Sequence, residues 1–373
     1  MSWEIFNLST DKVVSKNKIK PIRQKIDAID QQILSLIQKR GSLAQKIGDL
    51  KSLISSDASF YKPSREAEIL RKISKLNNGP IHEKKIKHIF KEIISSCLSL
   101  EEELTIAYLG PEGTHSEGAV IKHFGSSPTR SPRATIEDVF HQVRTGSVNF
   151  GMVPVENSSE GVVNATLNSL ADEDIKICGE TYLPIHHQLA SARKFQLADA
   201  QVVASHPQAL GQCSKWLDAN LPKAKRQATS STAEAAKLSK ANPKTLCIVS
   251  SLAINKYKLQ HYQKDIEDFS SNNTRFLVIG NIEIEQTKKD KTSFLIQTDN
   301  QPGALIKILE PFNQRKINLE RIETRPSRES LNAHNFFIDS SGHFKDAKLK
   351  QVISNLKELG ASVRILGSYP SDS

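Results

Sequence analysis

Residues 270–280 read SSNNTRFLVIG, a polar cluster that passes directly into an apolar run. Phe276 to Ile279 read as a buried strand, and ordinary loop polarity accounts for the serines and asparagines before it. It does not call for a hydroxyl followed by a guanidinium at the mouth of that strand, where open α/β sheets keep their ligands. Thr274 and Arg275 are therefore candidate site residues. Upstream, from Thr105, short β-rich runs alternate with helical stretches: TIAYLG, FGMVPVEN, DIKICGETYLPIHH, QVVASHP and TLCIVSS precede RFLVIG. That alternation is α/β architecture, and about 180 residues of it leave room for two lobes with a cleft between them.

Several of these runs end in neutral hydrogen-bonding clusters: Gly113 to Ser116, Glu156 to Gly161, Ser205 to Gln208 and Thr229 to Thr232. At helix starts, backbone NH groups in such clusters favour anions. Each cluster taken alone reads more readily as an N-cap.

Before Thr105 the period changes. Residues 20–102 are almost free of Gly and Pro and read as helix, with breaks near Ser55 to Ser64 and Asn77 to Pro80. Ile22, Ile26, Ile29, Ile33, Leu36, Leu43, Ile47, Leu50 and Ile54 step by fours and threes as a heptad seam. A helix of about 35 residues is roughly 50 Å long, too long to bury within so small a domain. The seam is thus expected to pack against a second chain, giving a homodimer through the N-terminal helices. The single gap in the stepping holds Arg40, and a buried arginine needs an anion. Lys51 follows 11 residues later, returning to within roughly 20° of the same face, so two cations point inward from one helix; a solvated charge stripe is the alternative, more readily for Lys51 than for Arg40, which interrupts the seam.

The third period begins after the charged stretch Gln286 to Lys291. Strand (293–297), helix (304–314), strand (319–324), strand (336–339), helix (346–359) and strand (362–366) give βαββαβ, the ferredoxin-like arrangement. Such a unit attached to an enzyme is more often regulatory or structural than catalytic, by fold analogy.

Charge and composition narrow the function. The formal net charge is +10, most of it carried by the helical segment. No zinc-finger, RNP or helix-turn-helix pattern accompanies it, and aromatics for base stacking are few, so a small anionic substrate is expected rather than nucleic acid. Cys97, Cys178, Cys213 and Cys247 are widely spaced without a CxxC pair, which indicates neither a metal site nor a disulfide framework. No stretch reaches the roughly 20 apolar residues of a membrane span, and the N-terminus lacks signal-peptide features. The expectation is a cytoplasmic protein without a membrane partner.

Taken together and in order, these stretches resemble the bifunctional P-protein family, chorismate mutase fused to prephenate dehydratase, from about residue 18 onward. Arg23-Gln-Lys-Ile-Asp27, Arg40, Lys51 and Arg65-Glu66 resemble the mutase helices. Tyr108-Leu-Gly-Pro-Glu-Gly-Thr114, Val153-Pro-Val-Glu-Asn157, Ser205-His-Pro-Gln208 and Asn273-Thr-Arg-Phe276 resemble the dehydratase, and Gly303-Ala-Leu305 with Glu323-Thr-Arg-Pro326 the phenylalanine-binding ACT domain. The resemblance implies a short extension (1–15), an all-helical dimeric mutase domain (16–103), a two-lobed α/β dehydratase domain like periplasmic binding proteins (104–284), and a ferredoxin-like ACT domain (290–370).

It also implies roles. In the mutase, Arg23 of one protomer and Arg40 of the other clamp the carboxylates of chorismate, Lys51 and Glu101 face its ether oxygen, and Glu66 accepts its hydroxyl. Lys62 stands where an aspartate can occur, Cys97 where a serine can, and Glu101 where many relatives carry a glutamine. A carboxylate donates a hydrogen bond only when protonated. In the dehydratase, Thr274 donates to the leaving oxygen of prephenate and Arg275 orients the site or substrate, supported by Glu156, Asn157, Ser205, Gln212 and Thr232. His115 replaces the familiar aromatic after Thr114. Phenylalanine, the feedback effector, is expected between Gly303, Ala304, Leu305 and Glu323, Thr324, Arg325, Pro326, and Asn332 stands where a tryptophan is frequent. No cofactor or metal is implied. Arogenate in place of prephenate, a helical segment serving only as a dimerisation arm, and a two-lobed amino-acid sensor without catalysis remain the alternatives.

Overall fold

The computed structural model of the chain describes residues 4–54, 61–269, 271–326 and 333–372; for residues 4–18 and Ile54 it describes only the backbone. The first helix, α1 (Glu4–Ile54), is 51 residues long. It exceeds the expected length because it continues upstream through Pro21, a residue type that usually marks a first turn, and it crosses the expected boundary at residue 15 without a break. Two shorter helices follow. The first, α2 (Pro63–Leu76), starts with proline at its first turn, and α3 (Glu83–Leu98) is capped by His82, whose Nδ1 accepts from the Lys84 amide at 3.3 Å.

The face that α1 buries within the chain is made of small residues. Gly41, Ala44 and Gly48 are buried, and a Cβ at Gly48 would lie 3.1 Å from the Glu101 Cα, so the end of α3 approaches closely there. The apolar seam is left uncovered: Ile22, Ile26, Ile29, Ile33, Leu36, Leu43, Ile47 and Leu50 are all exposed in the single chain, Leu43 and Ile47 at the wall of the helical cavity.

Two sheets follow. The first has the order Thr129–Arg133, Thr105–Leu109, Phe150–Asn157, Asn273–Gly280, Lys176–Pro184; the first three strands are parallel, and Asn273–Gly280 runs antiparallel to both its neighbours. The strand opened by Thr274 therefore lies inside the sheet, which is why every residue from Thr274 to Gly280 is buried. The second sheet has the order Gln260–Gln263, Gln188–Ser191, Thr245–Val249, Val202–Ser205, Lys225–Ala228. The chain crosses between the lobes near residues 185–187 and 266–272. The two crossings are tied by Ile185 N to Asn272 O at 2.9 Å, Ile266 N to His187 O at 3.0 Å and His187 N to Glu267 Oε2 at 2.9 Å.

The third sheet is antiparallel, ordered Leu319–Pro326, Ala333–Ser341, Asp290–Asp299, Ser362–Pro370, with helices Ala304–Gln314 and Ala347–Glu358 between its strands. This is the expected βαββαβ unit. Side chains alternate across a strand, and Phe336 and Ile338 pack into this unit's own core while Phe337, with Leu366 and Tyr369, joins the core of the first lobe. The third sheet and the first lobe thus share buried apolar surface. Among the described residues, no helix is long and apolar enough to cross a membrane.

Candidate active sites

Between the two lobes lies a cavity of about 380 Å³, lined by Thr114, His115, Asn157, His187, Gln212, Thr232 and Thr274 among others. Thr274 reaches it because it opens a central strand, and Asn157 because it closes the adjacent one; the two are register partners. Asn157 Nδ2 donates to Thr274 Oγ1 at 2.7 Å, and both side chains are buried. Gln212 comes from the second lobe, at the end of the helix Pro207–Gln212, and its carbonyl meets His187 Nε2 at 2.8 Å. The His115 and His187 rings meet edge to face with centroids 5.8 Å apart. Burial pushes the His115 imidazole down to about 3, with nearby His187 and His186 adding to the effect. Burial also lowers His187, against the opposing influence of Gln212 and Glu267. Both rings are therefore neutral near pH 7. Gly113, just before this wall, has φ +83, and an added Cβ would lie 3.2 Å from Ala253, so the turn demands glycine.

Three expected residues lie elsewhere. Arg275 does not line the cavity, because neighbours on a strand point to opposite faces. Its guanidinium binds Glu180 Oε2 at 2.9 Å, Asp339 Oδ2 at 2.5 Å and the Tyr369 hydroxyl at 3.1 Å, and is 5% exposed. Burial lowers its pKa, but Asp339, Tyr369 and Glu180 outweigh burial and raise it overall; burial likewise opposes, and Arg275 secures, the lowered pKa of Asp339. Lys291 joins Glu180 at 2.7 Å, closing a buried charge network between the first lobe and the third sheet. Glu156 obeys the same alternation: it points away from the cavity and pairs with Arg321 at 3.1 Å. Ser205 is fully buried in its sheet, its hydroxyl donating to the Ile248 carbonyl at 2.8 Å. His187, absent from the expected set, closes the run LPIHH, and a histidine just past a strand end carries no distinguishing period.

The helices enclose a second cavity of about 450 Å³, and Arg40, Lys51, Lys62, Glu66, Cys97 and Glu101 all line it. Lys51 Nζ lies 3.3 Å from Glu101 Oε2, and Lys91 Nζ 3.6 Å from Glu66 Oε1. Burial raises the pKa of Glu66 and outweighs the stabilising Lys91. Tyr61, whose hydroxyl lies 3.1 Å from His123 Nε2, also lines this cavity, whereas Lys91 lines a neighbouring one and acts here through its pair with Glu66; sequence spacing flags neither. Arg23 is exposed and, 17 residues before Arg40 on one helix, lies about 26 Å along the axis from it. It cannot reach its own chain's cavity.

In the third unit, Gly303 has φ +82, the left-handed region that favours glycine, at the start of the helix Ala304–Gln314. Ala304 lines a cavity of about 550 Å³ with Lys307 and Ser362, while Arg325 and Pro326 line a separate one of about 170 Å³. Gly303, Leu305, Glu323 and Thr324 line neither. The two expected halves end at the same edge of the sheet but on strands separated by Ala333–Ser341, about 10 Å apart. Arg325 instead binds Asn164 of the first lobe. Asn332 lies outside the described residues.

These geometries agree with comparisons to known proteins. The chain matches the family Chorismate mutase type II over residues 22–102, Prephenate dehydratase over 106–284 and ACT domain over 292–358. It is 46% identical over 311 residues to a bifunctional chorismate mutase/prephenate dehydratase of Pseudomonas aeruginosa, covering 83% of this chain and 85% of that one. A Neisseria gonorrhoeae protein of the same description is 40% identical, over 85% of this chain and 88% of its own. Among solved structures, a prephenate dehydratase from Arthrobacter aurescens in complex with L-Phe superposes with a TM-score of 0.66 at 33% identity, over 72% of this chain and 90% of that one. With its two cavities and its third, ferredoxin-like unit in the same order, the chain belongs to the bifunctional chorismate mutase/prephenate dehydratase family.

Proposed function

We propose that the helical cavity rearranges chorismate to prephenate and that the interlobe cavity converts prephenate to phenylpyruvate. The observation that carries this reading is the presence of two separate cavities on one family member, one lined by cations and one by neutral donors.

The first reaction is pericyclic and needs no nucleophile, only a compact substrate conformer and stabilisation of charge developing on the ether oxygen. Arg40 and Lys51 suit a dianion, and Lys51, 3.3 Å from Glu101 on the cavity wall, faces the ether oxygen in this reading. Glu101 serves as a second donor to that oxygen when it carries a proton, and Glu66 accepts the substrate hydroxyl. Arg23 completes the carboxylate clamp from a second copy of the chain, bound through the exposed seam of α1.

In the second reaction a ring carboxylate leaves as carbon dioxide. Its bonding electrons enter the ring, and the ring C–O bond breaks to release hydroxide, which takes a proton and becomes water. A threonine is too weak an acid to surrender its proton outright near neutral pH, so Thr274 acts as a hydrogen-bond donor to the departing oxygen. Its Oγ1 already accepts from Asn157, which leaves its own hydrogen for the substrate. Gln212 and Thr232 line the same space and suit the remaining carboxylate.

Phenylalanine acts as feedback effector through the third unit, which requires different affinities in two conformations. Purified protein given chorismate, with prephenate and phenylpyruvate followed separately, tests the catalytic reading: both products should form. Absence of phenylpyruvate when prephenate is supplied directly would remove the second assignment.

A further inference from the structure

The interlobe cavity is backed by a chain of side-chain amides whose hydrogen-bond directions are set from outside the cavity. Asn157 Oδ1 accepts from the backbone amides of Ser159 at 2.9 Å and Glu160 at 3.1 Å. Backbone NH groups cannot reverse, so this amide has one orientation, with Nδ2 toward Thr274 and toward Asn272 Oδ1 at 2.9 Å. Asn272 Oδ1 receives the Ser158 hydroxyl as well, at 3.3 Å, so Asn272 Nδ2 must face onward, where it donates to Gln212 Oε1 at 3.2 Å. Gln212 Oε1 is thereby an acceptor, and the His187 Nε2 that meets it at 2.8 Å must carry the hydrogen. His187 is 3% exposed, and its Nδ1 has no hydrogen-bond partner among the described residues. Among the described residues, the ring's one hydrogen bond through nitrogen is that to Gln212.

We propose that His187 is a positioning residue of the dehydratase centre: as the Nε2–H tautomer it clamps the Gln212 carbonyl together with Asn272, so that Gln212 presents its NH2 group, and not its oxygen, to an anionic substrate. Asn272 shares the task from the opposite side. The inference rests on the assignment of this cavity to prephenate, whose carboxylates are acceptors. A reversed Gln212 amide would place an oxygen against them. Gln212 Nε2 now faces Glu160 Oε1 at 3.4 Å, beyond the usual range of a strong contact, so it is available to a better acceptor.

The test uses the full-length protein, with mutase activity as the control for folding. His187→Phe keeps an aromatic ring but lacks the donor, whereas His187→Gln places an amide NH2 near the position of Nε2. Loss of one partner from a buried hydrogen bond predicts a fall of about 10- to 100-fold in dehydratase kcat/KM for His187→Phe. His187→Gln should recover most of that loss, a rescue that a purely space-filling role would not produce. In 15N-labelled wild type, the imidazole signal that disappears in His187→Gln should report a neutral ring protonated at Nε2. Equal activity in all three proteins, equal loss in both variants, or an Nδ1–H tautomer would each overturn the proposal. A wild type that makes prephenate from chorismate but never consumes it would instead overturn the underlying assignment.

Discussion

At the scale of single residues, Thr274 and Arg275 show how far composition can carry an argument and where it stops. The sequence singles out both, but adjacent strand residues face opposite ways, and only one could enter the cavity. Glu156 and Asn157 on the next strand divide identically. Arg275 instead sits between Glu180 and Asp339, so Arg275→Met should leave two buried carboxylates short of a partner and lower stability by about 3–5 kcal/mol. Chemical denaturation checks this, and an unchanged midpoint would show that the network is dispensable. His115 supports a pH prediction. Its folded-state value, pushed down to about 3, lies below the ordinary imidazole value of 6.5, so the unfolded chain takes up a proton first. The associated stability is present above about pH 6.5 and is lost as pH falls toward the folded value. His115→Phe removes that titration, so its melting temperature relative to wild type should climb steadily from pH 7 to pH 4. A constant difference across that range would contradict the assigned environment.

At the scale of elements, α1 carries two faces that periodicity alone does not separate. The isoleucine and leucine seam was legible as a heptad repeat, and its exposure in the single chain fits a partner helix. The opposite face, Gly41, Ala44 and Gly48, was not legible, because small residues lack an apolar signal even though they admit the end of α3. Arg40 and Lys51 were readable from the gap in the stepping; Tyr61 was not, since it enters the same cavity from a stretch whose docking no local pattern specifies, and neither was Lys91, which reaches only the Glu66 wall of that cavity. If the seam joins two copies, Ile29→Asp should shift the protein to monomer and reduce mutase turnover sharply, because Arg23 reaches its cavity only across the pair. Sedimentation and the chorismate assay together decide the matter. A monomeric wild type with full mutase activity would remove the shared site. In the C-terminal unit the strand and helix order was readable, but of the expected effector residues only Ala304 lines one cavity and Arg325 and Pro326 another, the rest lining neither, and strand order within the sheet keeps the two groups apart.

At the scale of the whole molecule, the α/β and βαββαβ periods were visible along the chain, whereas the surface joining them was not. Phe337 and Leu366 read as ordinary strand residues and Tyr369 lies beyond the expected last strand, yet all three complete the first lobe's core, and the bond from Arg275 to Asp339 crosses the same surface. Long-range packing of this kind leaves no local period to read. It also places the third unit directly behind the strand that bears Thr274, a physical route by which an effector can reach the dehydratase without touching its cavity. If one chain holds two independent reaction centres, Thr274→Ala should silence one and spare the other. Given chorismate, the folded variant should consume it at the wild-type rate and accumulate prephenate, with phenylpyruvate formation down by at least about 100-fold, the scale of losing one preorganised donor. Parallel loss of both activities in a folded protein, or undiminished phenylpyruvate, would contradict it.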